Sequence, residues 1–169
     1  RIGPDHAPQA TGSHSWDNQF VDRTWTYSLE ASWAGLRDCY ASLAADVRDR
    51  YGVELTSFGA IGVSGMMHGY LAFDAAGELL VPFRTWRNTM TERASEELTA
   101  LFCYKVPQRW SIAHLYEAVI NGEPHVAQIA SLTTLSGYVH WQLTGEQVVG
   151  VCDASGMFPI DLETKTYHP

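Results

Sequence analysis

The sequence is short of cysteine, of positive charge and of long apolar runs, and each shortage excludes a class of protein. Its three cysteines (Cys39, Cys103 and Cys152) are scattered and form no CxxC pair, so neither a disulfide framework nor a zinc site is expected. They are predicted to be small buried side chains in a reducing, cytoplasmic compartment. Eleven Lys and Arg against 19 Asp and Glu give a net charge of −8, which argues against nucleic acid or an anionic membrane as a partner. No apolar run approaches the roughly 20 residues that span a bilayer.

Generic motifs for phosphate and metal binding are absent from the sequence as well. It contains no GxxxxGK[ST] loop, no GxGxxG after a predicted strand and no HExxH. Its seven histidines include no pair spaced i, i+4, the spacing that would place two ligands on one helix face. No metal-binding residue is therefore predicted.

The composition is that of a folded α/β domain. Of 169 residues, 46% are hydrophobic and 18% charged, so the chain can form one domain, or one lobe of a larger protein, with a real core. Apolar residues spaced three and four apart predict a helix of about 23 residues between Ser28 and Gly52, with a buried stripe of Leu29, Trp33, Leu36, Tyr40, Leu43 and Val47. Further helices are predicted at 91–101, 111–120, 124–130 and 136–143. Strands are predicted at 9–15, 58–64, 70–73, 78–81 and 147–152, with a hairpin turn at 74–77.

One segment is similar to the GxSxG turn that exposes a nucleophilic serine. Residues 62–66 (GVSGM) follow a predicted strand, but the second glycine is displaced by one position and a strand, not a helix, is predicted next. An acyl-transfer hydrolase that uses Ser64 with His68, or with another histidine, is one alternative for this chain.

The same segment also has the make-up of a ligand-binding turn. Residues 64–69 (SGMMHG) end a predicted strand in a glycine-flanked turn that presents Met67 and His68. Further along, Trp86, Arg87 and Asn88 combine an aromatic ring with hydrogen-bonding side chains, the usual composition of a sugar site. The alternatives are that His68 bonds only to backbone, that Trp86 is a core anchor and that Arg87 is a solvated surface charge.

Four blocks of sequence, in matching order, resemble the xylulokinases of the FGGY carbohydrate kinase family. Residues 64–69 resemble the SGQMHG turn of that family, and residues 86–88 (WRN) its WND. Residues 143–146 (LTGE) and 153–156 (DASG) are similar to its LTGE…DASGT stretch. The departures are Met66 for glutamine, Asn88 for aspartate, and His114 and Glu117 where a helix signature of the family has lysine and tryptophan.

The resemblance implies a ribonuclease H-like α/β lobe of the actin-like ATPase superfamily, with a mixed central sheet and flanking helices. Residues 1–169 would be part of the N-terminal sugar-binding domain of an ATP-dependent carbohydrate kinase. The reaction implied is phosphoryl transfer from ATP to a hydroxyl of a sugar. A ketopentose such as xylulose is the expected sugar, because glycerol-type members have Arg-Glu where this chain has Met67-His68. The substrate-binding residues implied are Met67, His68, Trp86, Arg87, Asn88, Arg109 and Trp110.

The resemblance also places part of the machinery outside these residues. The strand with the DxGT motif, the C-terminal ATP-binding domain and the catalytic aspartate, expected beyond residue 169, would bind most of ATP and Mg²⁺. No residue of this chain is predicted to be catalytic, and Asp153 is expected to cap its own turn. A small sugar is the expected partner, and a homodimer is left open. The alternative within the same fold is a sugar-binding or regulatory lobe without kinase activity.

Overall fold

The computed structural model describes residues 2–161 and 163–167, which fall into two compact units. One unit contains residues up to 19 together with 27–62, and the other contains 20–26 together with the residues from 63 onward. The elements in chain order are β1 (Gln19–Val21), β2 (Thr24–Thr26), α1 (Leu29–Tyr51), β3 (Leu71–Phe73), α2 (Glu92–Phe102), α3 (Ser111–Ile120), a 3-10 helix (Pro124–Gln128), β4 (Ser131–Thr133), α4 (Leu135–Thr144) and α5 (Val151–Ala154). The predicted α/β class is confirmed, and the strands of the described residues form two small sheets, β1 with β2 and β3 with β4, in place of the mixed central sheet that was expected.

Helix α1 has the predicted length and the predicted ends. The Ser28 hydroxyl accepts a hydrogen bond from the Ala31 amide at 3.0 Å, and Gly52 ends the helix with a φ of 64°. The predicted buried stripe is only partly right, because Leu36 and Tyr40 are exposed. The helix instead buries small residues such as Gly35, where a side chain would come within 2.9 Å of the His14 ring.

The core of the second unit lies around β3 and β4. These strands pair antiparallel with Ala72 opposite Leu132, and all of β3 is buried. The Phe73 ring stacks on Tyr138 of α4 at a centroid distance of 5.6 Å. The hairpin turn after Phe73 is confirmed by the Asp74 carboxylate, which accepts from the backbone amides of residues 76 and 78.

Helices α2 and α3 pack against each other, and α3 has the predicted ends. Leu98, Val106 and Ala113 form the buried cluster between them, and α2 is shifted by one residue from its prediction. The segment predicted as a helix at 124–130 is the 3-10 helix. Among the helices within the described ranges, none is both long enough and apolar enough to cross a bilayer.

Several strand predictions are wrong, and for segment 58–64 the reason is the lack of a pairing partner. Residues 9–15, 58–64 and 147–152 form no strand, and the predicted second hairpin arm at 78–81 makes only an isolated bridge between Leu79 and Phe73. A strand requires a neighbouring chain to take its backbone hydrogen bonds. Segment 58–64 has no backbone hydrogen bond to any part of the chain that the structure describes.

The environment of the cysteines also differs from the prediction. Cys103 and Cys152 are exposed and Cys39 is half-buried, and all three are free thiols. Cys103 lies just beyond the end of α2 and Cys152 in the short helix α5, so neither has the packing partners of a core residue.

Candidate functional site

The glycine-flanked turn at residues 64–69 is held against the start of α3. The amide of Gly69 donates to the carbonyl of Arg109 at 3.2 Å, and the Ser111 hydroxyl donates to the carbonyl of Gly69 at 2.6 Å. Gly69 has a φ of 119°, and a side chain there would come within 2.8 Å of the Phe83 ring. The turn therefore needs glycine at this position, and its bonding brings it next to Arg109.

His68 has a defined tautomer. Its Nδ1 lies 3.2 Å from the carbonyl oxygen of Gly156. A carbonyl can only accept, so Nδ1 carries the hydrogen and Nε2 is left as an acceptor. Burial lowers the pKa of His68 below its ordinary value of 6.5, and the positive charge of Arg109 lowers that pKa further. The side chain is thus neutral at pH 7 and can accept a hydrogen bond from a hydroxyl group.

The DASG segment lies directly on this turn at Gly156. A side chain at Gly156 would come within 2.8 Å of both His68 Nδ1 and the Met67 carbonyl oxygen, and within 2.9 Å of Met67 Cε. Only glycine permits this approach, which presents Met67 and His68 together as a half-buried pair.

The loop that carries Trp86 and Arg87 is attached to the same turn through its backbone. The amide of Tyr70 donates to the carbonyl of Arg84 at 2.9 Å, and the reverse bond is 3.2 Å. Trp86 and Arg87 are exposed, and the Arg87 guanidinium lies 4.9 Å from the Trp86 ring centroid and 5.9 Å from that of Trp25. Sequence reasoning missed Trp25, whose only signal is its place in the alternating Thr-Trp-Thr of β2.

Asn88 is buried and holds β2. Its Oδ1 accepts from the Trp25 amide at 2.9 Å, and its Nδ2 donates to the carbonyls of Trp25 at 2.8 Å and Thr85 at 2.9 Å. Both amide hydrogens are engaged, so the group left for a ligand is one lone pair on Oδ1. Asn88 consequently orders the loop that presents Trp86 and Arg87.

The sequence from residue 9 to residue 169 matches the model of the N-terminal domain of the FGGY family of carbohydrate kinases. The chain belongs to that family. No curated protein matches it significantly.

Solved structures of sugar kinases share the fold of this FGGY domain. A protein described as a "xyloylose kinase" from Brucella ovis is 23% identical with a TM-score of 0.79, and the match covers 99% of this chain and 35% of that one. A xylulose kinase from Rhodospirillum rubrum is 25% identical with a TM-score of 0.73, covering 88% and 32%. A gluconate kinase from Lactobacillus acidophilus is 18% identical with a TM-score of 0.67, covering 89% and 31%. The chain thus spans about a third of the length of these proteins.

Two of the departures from the FGGY pattern, Asn88 and Glu117, have structural explanations. An aspartate at position 88 could accept from the Trp25 amide but could not donate to the two carbonyls, so asparagine makes two hydrogen bonds that aspartate cannot. Glu117, where the family signature has tryptophan, is buried and accepts from the Ala94 amide at 3.0 Å, in the first turn of α2.

A polar cluster surrounds Tyr70 and Arg84, whose backbones pair next to the turn. The Tyr70 hydroxyl is 2.9 Å from His125 Nε2, and the Arg84 guanidinium pairs with both carboxylate oxygens of Glu123. His114 stacks on the Tyr70 ring, with a centroid distance of 6.0 Å. Neither ring nitrogen of His114 has a partner among the described residues, and burial lowers its pKa to about 3.

The remaining predicted residues have other environments. Arg109 is exposed, whereas Trp110 is half-buried against the cluster between α2 and α3, with its ring 6.2 Å from that of Tyr104. Ser64 is exposed, and no hydrogen bond joins it to a histidine within the described ranges. Among the described residues, the Asp153 carboxylate accepts from Thr134 at 3.1 Å and from Ser136, and not from the amides of its own turn as expected.

Proposed function

We propose that the protein containing this chain is an ATP-dependent carbohydrate kinase that phosphorylates a hydroxyl of a ketopentose such as xylulose. The observation that carries the proposal is the neutral His68, whose free Nε2 acceptor stands beside the Met67 thioether on a turn fixed by Gly69 and Gly156. Family membership supports carbohydrate phosphorylation. The Rhodospirillum rubrum neighbour is described as a xylulose kinase.

The contribution of this chain is to bind and orient the sugar. His68 Nε2 accepts from a sugar hydroxyl, and the Met67 side chain packs on an apolar C–H face. The Trp86 ring covers a second face while Arg87 donates to hydroxyls, with Asn88 ordering their loop. Arg109 and Trp110 complete the proposed pocket at the start of α3. Positioning of the acceptor hydroxyl is the main catalytic requirement in phosphoryl transfer.

We propose that the nucleotide and its metal are held mainly outside this chain. Among the described residues, no group of three or more His, Cys, Asp or Glu side chains is placed to hold a metal ion. The sequence also lacks a phosphate-binding glycine loop. The resemblance to the FGGY family supports this proposal, since it places the aspartate base and most of the Mg²⁺-ATP site, which supplies the phosphoryl group, in other parts of the protein.

The full-length protein should be assayed with ATP against glycerol, xylulose, ribulose, fuculose, rhamnulose and gluconate. We expect the highest kcat/KM with a ketopentose, at least about tenfold above glycerol, a difference that corresponds to one good hydrogen bond. Glycerol as the best substrate would overturn the proposed substrate class. Calorimetric binding of a sugar without turnover would favour the non-catalytic lobe.

A further inference from the structure

A pocket begins at the start of the turn formed by residues 64–69, here called the Met-His turn. It has a volume of about 460 Å³, within the range of small-molecule sites, and all the residues that line it belong to one compact unit. It lies between the segment before the turn, the first turns of α4 and the segment that leads into α5. Its polar and small lining includes Ser64, Gly65, Ser136, His140, Cys152 and Asp153.

The Asp153 carboxylate is oriented within this lining by two hydroxyl groups. Its Oδ2 accepts from Thr134 Oγ1 at 3.1 Å and from Ser136 Oγ, and both of these residues are buried. Its Oδ1 accepts no hydrogen bond from the part of the chain that the structure describes. A carboxylate fixed at one oxygen and open at the other is an acceptor for a hydroxyl donor.

The lining combines these polar groups with three valines (Val63, Val148 and Val149), a mixture that suits a neutral ligand with both hydroxyl groups and apolar C–H faces. No Lys or Arg is among the described residues that line the pocket. A phosphate or carboxylate group would therefore find no cationic side chain there, and Asp153 would repel it. His140, Cys152 and Asp153 all line the pocket, but no three such side chains among the described residues are placed to hold a metal ion. Serine hydroxyls, an imidazole and a carboxylate are the groups that bind sugar hydroxyls.

The pocket and the Met-His turn are formed by the same two stretches of chain. Gly65 lines the pocket, and His68 follows it by three residues. Asp153 lines the pocket as well, and Gly156, three residues later, bonds to His68 Nδ1. The turn that carries His68 and the pocket are therefore supported by the same two segments.

We infer that this pocket is a subsite for the end of the sugar remote from the phosphorylated hydroxyl, and that Asp153 Oδ1 accepts from a hydroxyl there. The inference rests on the proposed function. It extends the site to Asp153, which the sequence predicts to cap a turn, and to Ser136, His140 and Cys152, to which the sequence assigns no role.

Cys152 reports directly on occupancy of the pocket, and Cys103 is its control because it is exposed but does not line the pocket. In the full-length protein, alkylation by iodoacetamide is followed at each cysteine by peptide mass spectrometry, with and without the sugar that calorimetry shows to bind. At a sugar concentration of ten times its Kd, we expect alkylation of Cys152 to slow about tenfold while that of Cys103 is unchanged.

If Cys152 is not protected while the sugar is bound, the inference is overturned and the proposed function still stands. A Cys152 that is inert in the free protein also overturns it, because the pocket is then filled by the rest of the chain.

Asp153→Asn distinguishes a hydroxyl contact from a purely structural role. We expect its KM for the sugar to rise about tenfold, and the rise to vanish with a deoxy analogue that lacks the hydroxyl at the remote end. An equal rise with both sugars means that Asp153 acts only through Thr134 and Ser136, which overturns the inference. If no sugar binds to the unmodified protein, the proposed function fails and the inference fails with it.

Discussion

At the scale of single residues, one backbone carbonyl determines what His68 can do. The Gly156 oxygen fixes the hydrogen on Nδ1, so the ring offers an acceptor at Nε2 only while it is neutral. Burial is the main cause that keeps its pKa below 6.5, and the Arg109 charge acts in the same direction. Protonation at lower pH turns Nε2 into a donor and removes the acceptor that the sugar hydroxyl would use.

In the full-length protein, the KM for the sugar should therefore rise as the pH falls through the lowered pKa of His68. His68→Ala should raise KM roughly 5- to 150-fold at pH 7.5, the range expected for one buried hydrogen bond of about 1–3 kcal/mol, with little change in Tm. His68→Gln should restore part of the affinity and remove this step from the pH profile, because an amide oxygen accepts at every pH. The exposed His6→Ala is the matched control. Unchanged KM in His68→Ala with a large loss of Tm would show a structural histidine.

At the scale of the elements, α3 provides the cap that α2 lacks. Thr91 precedes α2, but its hydroxyl donates to the Gln108 carbonyl at 2.6 Å and caps nothing. Glu117 of α3 accepts from the Ala94 amide at 3.0 Å, which supplies both a hydrogen bond and a negative charge at the helix start. The two helices thus stabilise each other through a polar contact as well as through their apolar cluster.

Glu117→Ala should lower the free energy of unfolding by about 1–2 kcal/mol, because it leaves a buried amide in the first turn of α2 without an acceptor. Urea unfolding followed by circular dichroism measures the loss. Glu96→Ala is the control, since Glu96 is exposed on α2, and it should change stability by less than about 0.5 kcal/mol. Equal stability of the two variants would contradict the capping role.

The elements that could be predicted are those whose signals are local. Ser28 and Gly52 cap α1 directly at its two ends, so both ends of the helix can be predicted to the residue from the local sequence. The strand at 58–64 was predicted from its apolar composition, yet a strand depends on a partner that composition does not reveal. The site divides in the same way. His68 stands in a recognisable motif, whereas the contact of Trp25 with Asn88 joins residues 63 positions apart.

At the scale of the whole molecule, His114 couples folding to pH. Its ring is fully buried against Tyr70, and the nearby Arg84 charge adds to the desolvation that lowers its pKa. In the unfolded chain the ring has its ordinary pKa of 6.5, so between pH 6.5 and about 3 the unfolded state binds a proton that the folded state does not. Acid therefore favours unfolding within this window, and the contribution of His114 to stability is complete above it.

The slope of stability against pH tests this coupling. Between about pH 6 and pH 4, the proton on His114 in the unfolded state should cost the folded chain up to roughly 1.4 kcal/mol per pH unit. His114→Phe keeps an aromatic ring on Tyr70 and removes the titrating group, so its unfolding free energy should fall less steeply over the same range. At pH 7.5 it should be at least as stable as the parent, because the two buried nitrogens without partners are gone. His6→Ala should keep the parental slope, since His6 is exposed. Identical slopes for His114→Phe and the parent in urea unfolding would mean that His114 titrates alike in both states, and that its burial does not govern the response to acid.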